Sequence, residues 1–249
     1  NRRNAHTFQA DQNLLGTVTT GSVAHQLLFG VDYTRYNETA STAFAIGPDL
    51  DVYAPVYGNF VPPDFFDDPR LVQQQVGLYA QDQMRFGANW LLMLGLRQDW
   101  ASNELEGQGT ERDQATTGRV ALMYLGDHGW SPYLSWSQSF LPVSGTNFFG
   151  ERYVPTRGEQ WELGLKYQDA SGNFVFNGAA YSLQERNRQV NDPANPLNQL
   201  QTGESTTRGV ELEAKGRVTP NLDLIANYVY TDVDAVLEHL PVQVAGVDQ

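Results

Sequence analysis

The chain has 249 residues, 41% of them hydrophobic, and a formal net charge of −13. That hydrophobic content excludes a disordered tail, and the deficit of Lys and Arg excludes general binding to nucleic acid or anionic membrane surfaces, which needs a basic surplus to offset phosphates. With 0 Cys there are no disulfides, thiolate metal sites or Cys nucleophiles.

The sequence opens at Asn1 on polar residues that do not resemble a signal peptide, and no run approaches the roughly 18 apolar residues of a spanning helix. Any membrane role therefore has to use a barrel. The 12 Tyr, 12 Phe, 5 Trp and 23 Gly suit a turn-rich all-β protein, because aromatics favour strands and glycine punctuates them.

Period-2 windows predict about ten strands, near 5–19, 22–36, 71–86, 88–101, 113–125, 131–141, 158–168, 173–187, 204–218 and 221–234. In 22–36, Leu27, Phe29, Val31 and Tyr33 oppose Gln26, Gly30 and Asp32. In 71–86, Val76, Leu78, Ala80, Met84 and Phe86 oppose Gln75, Tyr79, Gln81, Gln83 and Arg85, with Asp82 breaking the apolar row. In 88–101, Trp90, Leu92, Leu94, Leu96 and Trp100 share a parity broken by Gln98, while Arg97 and Asp99 take the other. Strand 158–168 sets Trp161, Leu163, Leu165 and Tyr167 against Gln160, Glu162 and Lys166. Strand 204–218 sets Val210, Leu212, Ala214 and Gly216 against Glu211, Glu213, Lys215 and Arg217, and 221–234 adds Leu222, Leu224, Ala226, Tyr228 and Tyr230.

The predicted connections alternate. Odd-numbered links are tight: Thr20-Gly21, Gly87, 126–129, 169–172 and Thr219-Pro220. Even-numbered links are long: 37–70, 102–112, 142–157, 188–203 and the segment from Ala235. In an antiparallel meander this trims one end and elaborates the other, as in transmembrane β-barrels with short periplasmic turns and long extracellular loops. A soluble sandwich would also alternate apolar and polar faces. It gives no reason, however, for loops to be long at one end or for Glu, Lys and Arg to share one face of such long strands. Slipping 204–218 by one residue would put four charges on lipid, at on the order of 2–4 kcal/mol for a midplane Lys or Arg and less for Glu. The fold class expected is therefore all-β, an antiparallel transmembrane β-barrel meander, with the sandwich as the competing reading.

Catalytic chemistry finds little support. His6, His25, His128 and His239 are scattered without metal-ligand spacing or a nucleophile motif. Glu211 and Glu213 lie about 7 Å apart on one face by strand rise, within the spread of glycosidase acids, but Lys215 and Arg217 beside them favour a charge ladder lining a lumen. The loop 37–70 is different in kind. It carries Phe44, Tyr53, Tyr57, Phe60, Phe65 and Phe66 among five prolines and five aspartates. A loop this long is usually functional or disordered, and this one is too aromatic for disorder. Its rings either fold the loop onto its neighbours or take up a bulky, weakly charged ligand.

The series LFGVDYTRY (28–36), GLYAQDQMRF (77–86), LGLRQDW (94–100), YLSWSQSFLP (133–142), RGEQWELGLKY (157–167), GESTTRGVELEAKG (203–216) and NYVYTDVDA (227–235) resembles, in order and spacing, the barrel of TonB-dependent ferric-siderophore receptors of the ferrichrome and hydroxamate branch. The resemblance covers essentially the whole chain. It implies a 22-stranded outer-membrane barrel plugged by an N-terminal domain, which imports ferric siderophores using energy passed from TonB. Residues 1–249 would then be a partial barrel domain of about ten strands, lacking the plug, the earlier strands and the terminal strand. Iron would travel as ferric siderophore with no cofactor bound directly. The implied partners are the siderophore, the TonB complex through the plug segment, and outer-membrane lipid or lipopolysaccharide, with no nucleic acid, no enzymatic activity and a monomeric state.

Phe44, by its position after Val31-Asp32-Tyr33, matches a ligand-contacting Phe of such receptors, and the loop's composition adds Tyr53 and Tyr57. Arg208, Gly209 and Glu211 carry a family signature whose implied role is lumen-side structure or plug docking. Arg208, Glu211, Glu213 and Lys215 are thus expected to face the lumen. The alternatives are a passive porin-like channel and a soluble all-β binding protein or glycan-processing enzyme.

Overall fold

The computed structural model describes residues 1–236 apart from 48, 50, 52, 56, 57, 59, 60, 193, 194, 196, 197 and 202. Its long strands are β1 (Arg2–Thr20), β2 (Val23–Thr42), β4 (Leu71–Phe86), β5 (Trp90–Leu105), β6 (Gly109–Tyr124), β7 (Trp130–Leu141), β8 (Thr156–Gln168), β9 (Phe174–Arg186), β12 (Glu204–Thr219) and β13 (Leu222–Val236). Short pieces are β3 (Phe66–Asp67), β10 (Gln189–Asn191), β11 (Gln199–Gln201) and one 3-10 turn at Asp127–Gly129. The long strands form one antiparallel sheet in the order β1-β2-β4-β5-β6-β7-β8-β9-β12-β13, and β3 adds to the end of β2. Among the described residues no helix is long and apolar enough to cross a membrane. Every strand pairs with its sequence neighbour in the path, as the alternating pattern predicts.

The expected long link 102–112 is corrected. β5 and β6 stay paired out to Leu105↔Gly109 and turn through 106–108, closed by Gln108 N–H donating to Leu105 O at 2.9 Å. Gly107 (φ 82°) and Gly109 (φ 88°) supply the left-handed backbone such a turn requires. This stretch is polar on both parities, one face carrying Glu104 and Arg112 and the other Asn103, Glu111 and Asp113 against the 142–155 connection, so composition alone reads it as loop. For the same reason β2 runs on to Thr42, where a loop was expected from residue 37.

Register sorts the side chains into two faces. One carries Phe29, Val31, Leu78, Leu94, Leu96, Val120, Leu122, Leu134, Trp161, Leu163, Val210 and Leu212, all more than a third exposed. Near the short turns this face ends in paired rings: Trp90 and Tyr124 with centroids 4.9 Å apart, Trp130 and Tyr167 at 4.4 Å, and Tyr167 and Phe174 at 6.0 Å. From Trp90 to Trp100 the band spans roughly 25 Å along the normal of a sheet tilted about 45°. Two of the polar residues that interrupt it find a partner on the same face. Asp82 lies 2.8 Å from His25 Nδ1, and the Thr116 hydroxyl donates to the Gln98 carbonyl.

The opposite face is polar, and long side chains cross it over glycines. Arg97 on β5 passes over Gly77 on β4 to reach Asp32 on β2, with Nη1 to Oδ2 at 2.6 Å and Nη2 to Oδ1 at 3.0 Å. Its Nε also donates to Asp99 Oδ2 at 2.9 Å, and Gln75 Nε2 reaches Asp99 Oδ1 at 2.8 Å. Tyr79 lies over Gly30 and donates to Asp11 Oδ1 at 2.9 Å. Arg119 lies over Gly95 and donates to Gln81, Tyr133 covers Gly164 and donates to Glu162 Oε1 at 2.6 Å, and Tyr181 crosses Gly209 to Thr231 at 3.3 Å.

A Cβ at Gly77 would sit 2.0 Å from Arg97 Nη2 and 2.7 Å from Asp32 Oδ2. Gly77→Val is therefore expected to displace the guanidinium and cost about 1–3 kcal/mol. At Gly16 a Cβ meets nothing within 4 Å, so Gly16→Val serves as the comparison. Denaturant midpoints of the two variants in detergent should separate clearly; equal midpoints would refute the crossing as a stabilising contact.

Candidate functional site

Four connections meet at the end of the sheet away from the tight turns: 43–70, 106–108, 142–155 and 187–203. The first returns to the sheet through β3, where the Ser41 hydroxyl donates to Asp67 Oδ1 at 2.7 Å, the Thr42 hydroxyl to Asp68 Oδ2 at 2.8 Å, and Asp68 N–H to Ala40 O at 2.9 Å. Phe65 is held under the Arg2 guanidinium, 4.2 Å from ring centroid to Cζ. Phe65 and Phe66 thus belong to the stem of this loop.

Phe44 and Tyr53 do not. Phe44 is 79% exposed and Tyr53 99%. Tyr53 is placed by its backbone, whose N–H donates to Asp51 Oδ1 at 2.8 Å in a local turn. Of the two roles open to these rings, packing onto neighbouring loops is not what Phe44 and Tyr53 do. Tyr57, the third expected contact, lies outside the described residues.

The connection 142–155 is built differently. The β6–β7 ladder runs only from Arg119↔Ser137 to Met123↔Tyr133, so the upper part of β6 has no strand partner on that side. Arg152 fills the gap, its Nη2 2.6 Å from Asp113 Oδ2 and its Nε 3.1 Å from Glu111 Oε2. Burial works to lower the Arg152 pKa, but hydrogen bonds to Asp113 and Glu111 outweigh it and hold the guanidinium above its usual value. Tyr153 is buried and donates from its hydroxyl to Gln199 O at 3.1 Å, while Gln201 Nε2 donates to Val154 O at 2.7 Å, knitting this connection to the one carrying β10 and β11. Gln73 reaches Ser144 Oγ at 3.3 Å from the polar face of the sheet.

At the tip, an Asn147 turn presents Phe148 and Phe149, ring centroids 5.6 Å apart and edge to face, 70% and 68% exposed. These two rings were missed in the sequence, although adjacent phenylalanines between Gly145 and Gly150 carry the same signal as the aromatics of 37–70: large apolar side chains in a polar, glycine-flanked loop.

On the wall below, Glu211, Glu213 and Lys215 share the polar face, opposite Ala179, Asn177 and Val175 of β9. All three are exposed. Arg208 is a correction. It has the parity of Val210 and Leu212, so it stands on the apolar side of the sheet, its Nη1 3.8 Å from Asp234 Oδ2. The strand's alternation continues into residues 204–208, and family signature is no guide to which face a signature residue takes. Among the described residues no group of three or more His, Cys, Asp or Glu could hold a metal ion. His6, His25 and His128 lie on different elements, and His239 is outside the described residues.

A family model described as TonB dependent receptor-like, beta-barrel, matches residues 1–247. The chain is 35% identical over 232 residues to the ferrioxamine B receptor of Salmonella typhimurium, covering 90% of this chain and 32% of that protein. It is likewise 35% identical over 247 residues to the ferrichrome outer membrane transporter/phage receptor of Escherichia coli, covering 91% of this chain and 32% of that one. The chain thus spans about a third of the length of the curated relatives it matches. Among solved structures, the ferric-catecholate import receptor of Escherichia coli superposes with a TM-score of 0.75 at 18% identity over 94% of this chain and 38% of that one. The ferripyoverdine receptor of Pseudomonas aeruginosa gives 0.75 at 19% over 94% and 33%. At these identities the likeness is one of fold: the sheet is a run of staves from a barrel.

Replacing Arg152 by Gln should release the 142–155 connection while leaving the ladder intact. Amide exchange in that segment is expected to speed up by about tenfold, the consequence of roughly 1.4 kcal/mol of lost local stability. Unaltered exchange would mean that Tyr153 and Gln201 hold the segment without the arginine.

Proposed function

We propose, since this chain belongs to the TonB-dependent receptor β-barrel family and its strands are therefore staves of an outer-membrane barrel, that the receptor it forms part of takes up a ferric siderophore of the hydroxamate class. The observation that carries this is the pair of relatives, a ferrioxamine B receptor and a ferrichrome transporter, each 35% identical over nine-tenths of the chain. Family membership sets aside the passive channel and the soluble sandwich. The relatives named are receptors and transporters, so the substrate passes through chemically unchanged.

In this reading the apolar face meets lipid and the polar face lines the lumen. The long connections are extracellular and the tight turns periplasmic. Phe44, Tyr53 and Tyr57 capture the ligand: exposed rings such as those of Phe44 and Tyr53, on a loop tied down at both ends, offer apolar area with few rotamers to freeze. Iron arrives already chelated, so the protein needs no resident metal. Glu211, Glu213 and Lys215 face the plug, whose movement, energised through TonB, opens the way inward. The charges of that wall suit a wet, reversible contact better than a sealed one, since a fully buried pair would tolerate no movement. The receptor acts as a monomer in contact with outer-membrane lipid.

The test is a binding titration on the complete receptor carrying Phe44→Ala, Tyr53→Ala and Tyr57→Ala together. Ferrichrome and ferrioxamine B are the two probes. Affinity for the one that binds the wild type should fall by at least about tenfold, each aromatic contact being worth about 0.5–1.5 kcal/mol beyond its area, with the denaturant midpoint unchanged. Unchanged affinity removes these residues from the site; a wild type that binds neither probe removes the hydroxamate class.

A further inference from the structure

Toward the long-loop end of the polar face, two rows matched by register carry neutral side chains only. One row runs Tyr36, Gln73 and Asn103 across β2, β4 and β5; the next runs Thr34, Gln75 and Ala101. Beside Leu141 and Pro142, where β7 leads into the 142–155 connection, these residues line a cavity of about 130 Å³. Asn103, although polar, is buried there at 4% exposure.

Partners orient the three amides. Asp99 Oδ1 and Val143 O can only accept, so Gln75 and Asn103 turn their amino groups to them, at 2.8 and 3.4 Å, while Gln73 Nε2 reaches Ser144 Oγ at 3.3 Å. Gln73 Oε1, Gln75 Oε1 and Asn103 Oδ1 accept no hydrogen bond among the described residues. The Tyr36 hydroxyl donates to Glu38, which leaves its oxygen as an acceptor as well. The cavity therefore offers acceptors, with its donors already engaged.

The surroundings hold surplus negative charge. One step toward the tight turns, Arg97 alone faces both Asp32 and Asp99. Across β5, Asn103 and Ala101 pair with Glu111 and Asp113 of β6, which share the single guanidinium of Arg152. Two carboxylates to one arginine leave each cluster with one uncompensated negative charge, and the Glu38–Arg3 pair adds none.

We infer that this cavity binds a primary ammonium group carried by the transported ligand. An ammonium brings three N–H donors and no acceptor, the complement of three amide oxygens whose own donors are occupied. Hydrogen bonds with one ionised partner are roughly twice as strong as neutral ones. A carboxylate or phosphate would meet only acceptors and like charge, and an apolar group would leave the buried oxygens unsatisfied. At the roughly 30 Å³ that a water occupies in the liquid, the space admits about four heavy atoms, the end of an aminoalkyl chain. The loop aromatics then hold the chelate while the wall selects its free end. The inference rests on the hydroxamate reading and adds to it a preference within that class, for a chelate with an unmodified amine.

The experiment titrates the complete receptor with ferrioxamine B, whose chain ends in a free primary ammonium, with its N-acetyl derivative, which lacks that charge, and with ferrichrome. Wild type should bind ferrioxamine B at least about tenfold more tightly than the acetyl form, the scale of hydrogen bonds to a charged group. Gln73→Met combined with Asn103→Leu removes two acceptors at similar volume and should bring the ratio down to about threefold or less. Gln73→Glu should raise it, whereas a merely structural role for these residues would change both affinities together. Equal wild-type affinities, or a ratio that neither variant moves, overturn the cavity as an ammonium site, and the wild-type comparison decides if the variants do not fold. Binding of ferrichrome without ferrioxamine B overturns the cavity and keeps the hydroxamate reading; binding of none of the three overturns both.

Discussion

The contact on which the rest of the sheet depends is the one in which Arg97 crosses Gly77 to hold Asp32. A backbone ladder alone does not choose its register: sliding one strand past another by two residues restores every hydrogen bond. Side chains that skip a strand do choose. Arg97 binds Asp32 at 2.6 and 3.0 Å only when β2, β4 and β5 are aligned so that the glycine lies beneath the guanidinium. The same device recurs with Tyr79 over Gly30 and Tyr181 over Gly209. Because the lumen wall is aligned in this way, the lipid wall is aligned too, and the aromatic pairs come to rest side by side at the short-turn rim.

The loops inherit that alignment in two forms. The 43–70 connection is fastened at its stem, where β3 pairs with the end of β2, and its rings Phe44 and Tyr53 stand free. The 142–155 connection is fastened along its length, by Arg152 to β6 and by Tyr153 and Gln201 to its neighbour, so that Phe148 and Phe149 are displayed on a braced support. A freely held aromatic adapts to a ligand and a braced one preselects it. The same end of the barrel carries both.

Much of this was legible in the residues because a barrel wall obeys the simplest of periodicities. Alternation placed the ten main strands and told the apolar face from the polar one at Leu94, Leu96, Glu211, Glu213 and Lys215, and the spacing of turn residues told the trimmed end from the elaborated one. Failures came where solvent replaces lipid. Past the apolar band both faces carry polar side chains, the alternation fades, and a hairpin such as Leu105–Gly109 looks like a loop. Arg208 sits in that same wet zone, where charge no longer reports on facing. The partners of Asp82 and Arg97 were hidden for another reason: His25 and Asp32 lie 57 and 65 residues away along the chain, and nothing local announces them.

Those separations bear on how such a wall comes together. A β-hairpin forms in about 1–10 microseconds and gains its cross-strand contacts as it closes. Here the contacts that discriminate between registers join strands that are not neighbours: Asp11 with Tyr79 across 68 residues, Asp32 with Arg97 across 65, Tyr181 with Thr231 across 50. No isolated hairpin contains both ends of any of these three, so a misaligned pair of strands does not lose them until the third arrives. Proofreading is thereby delayed to the three-stave stage, and loop-closure entropy is spent before the correct alignment is rewarded. A stave whose contacts reach past its neighbour is thus held from both sides.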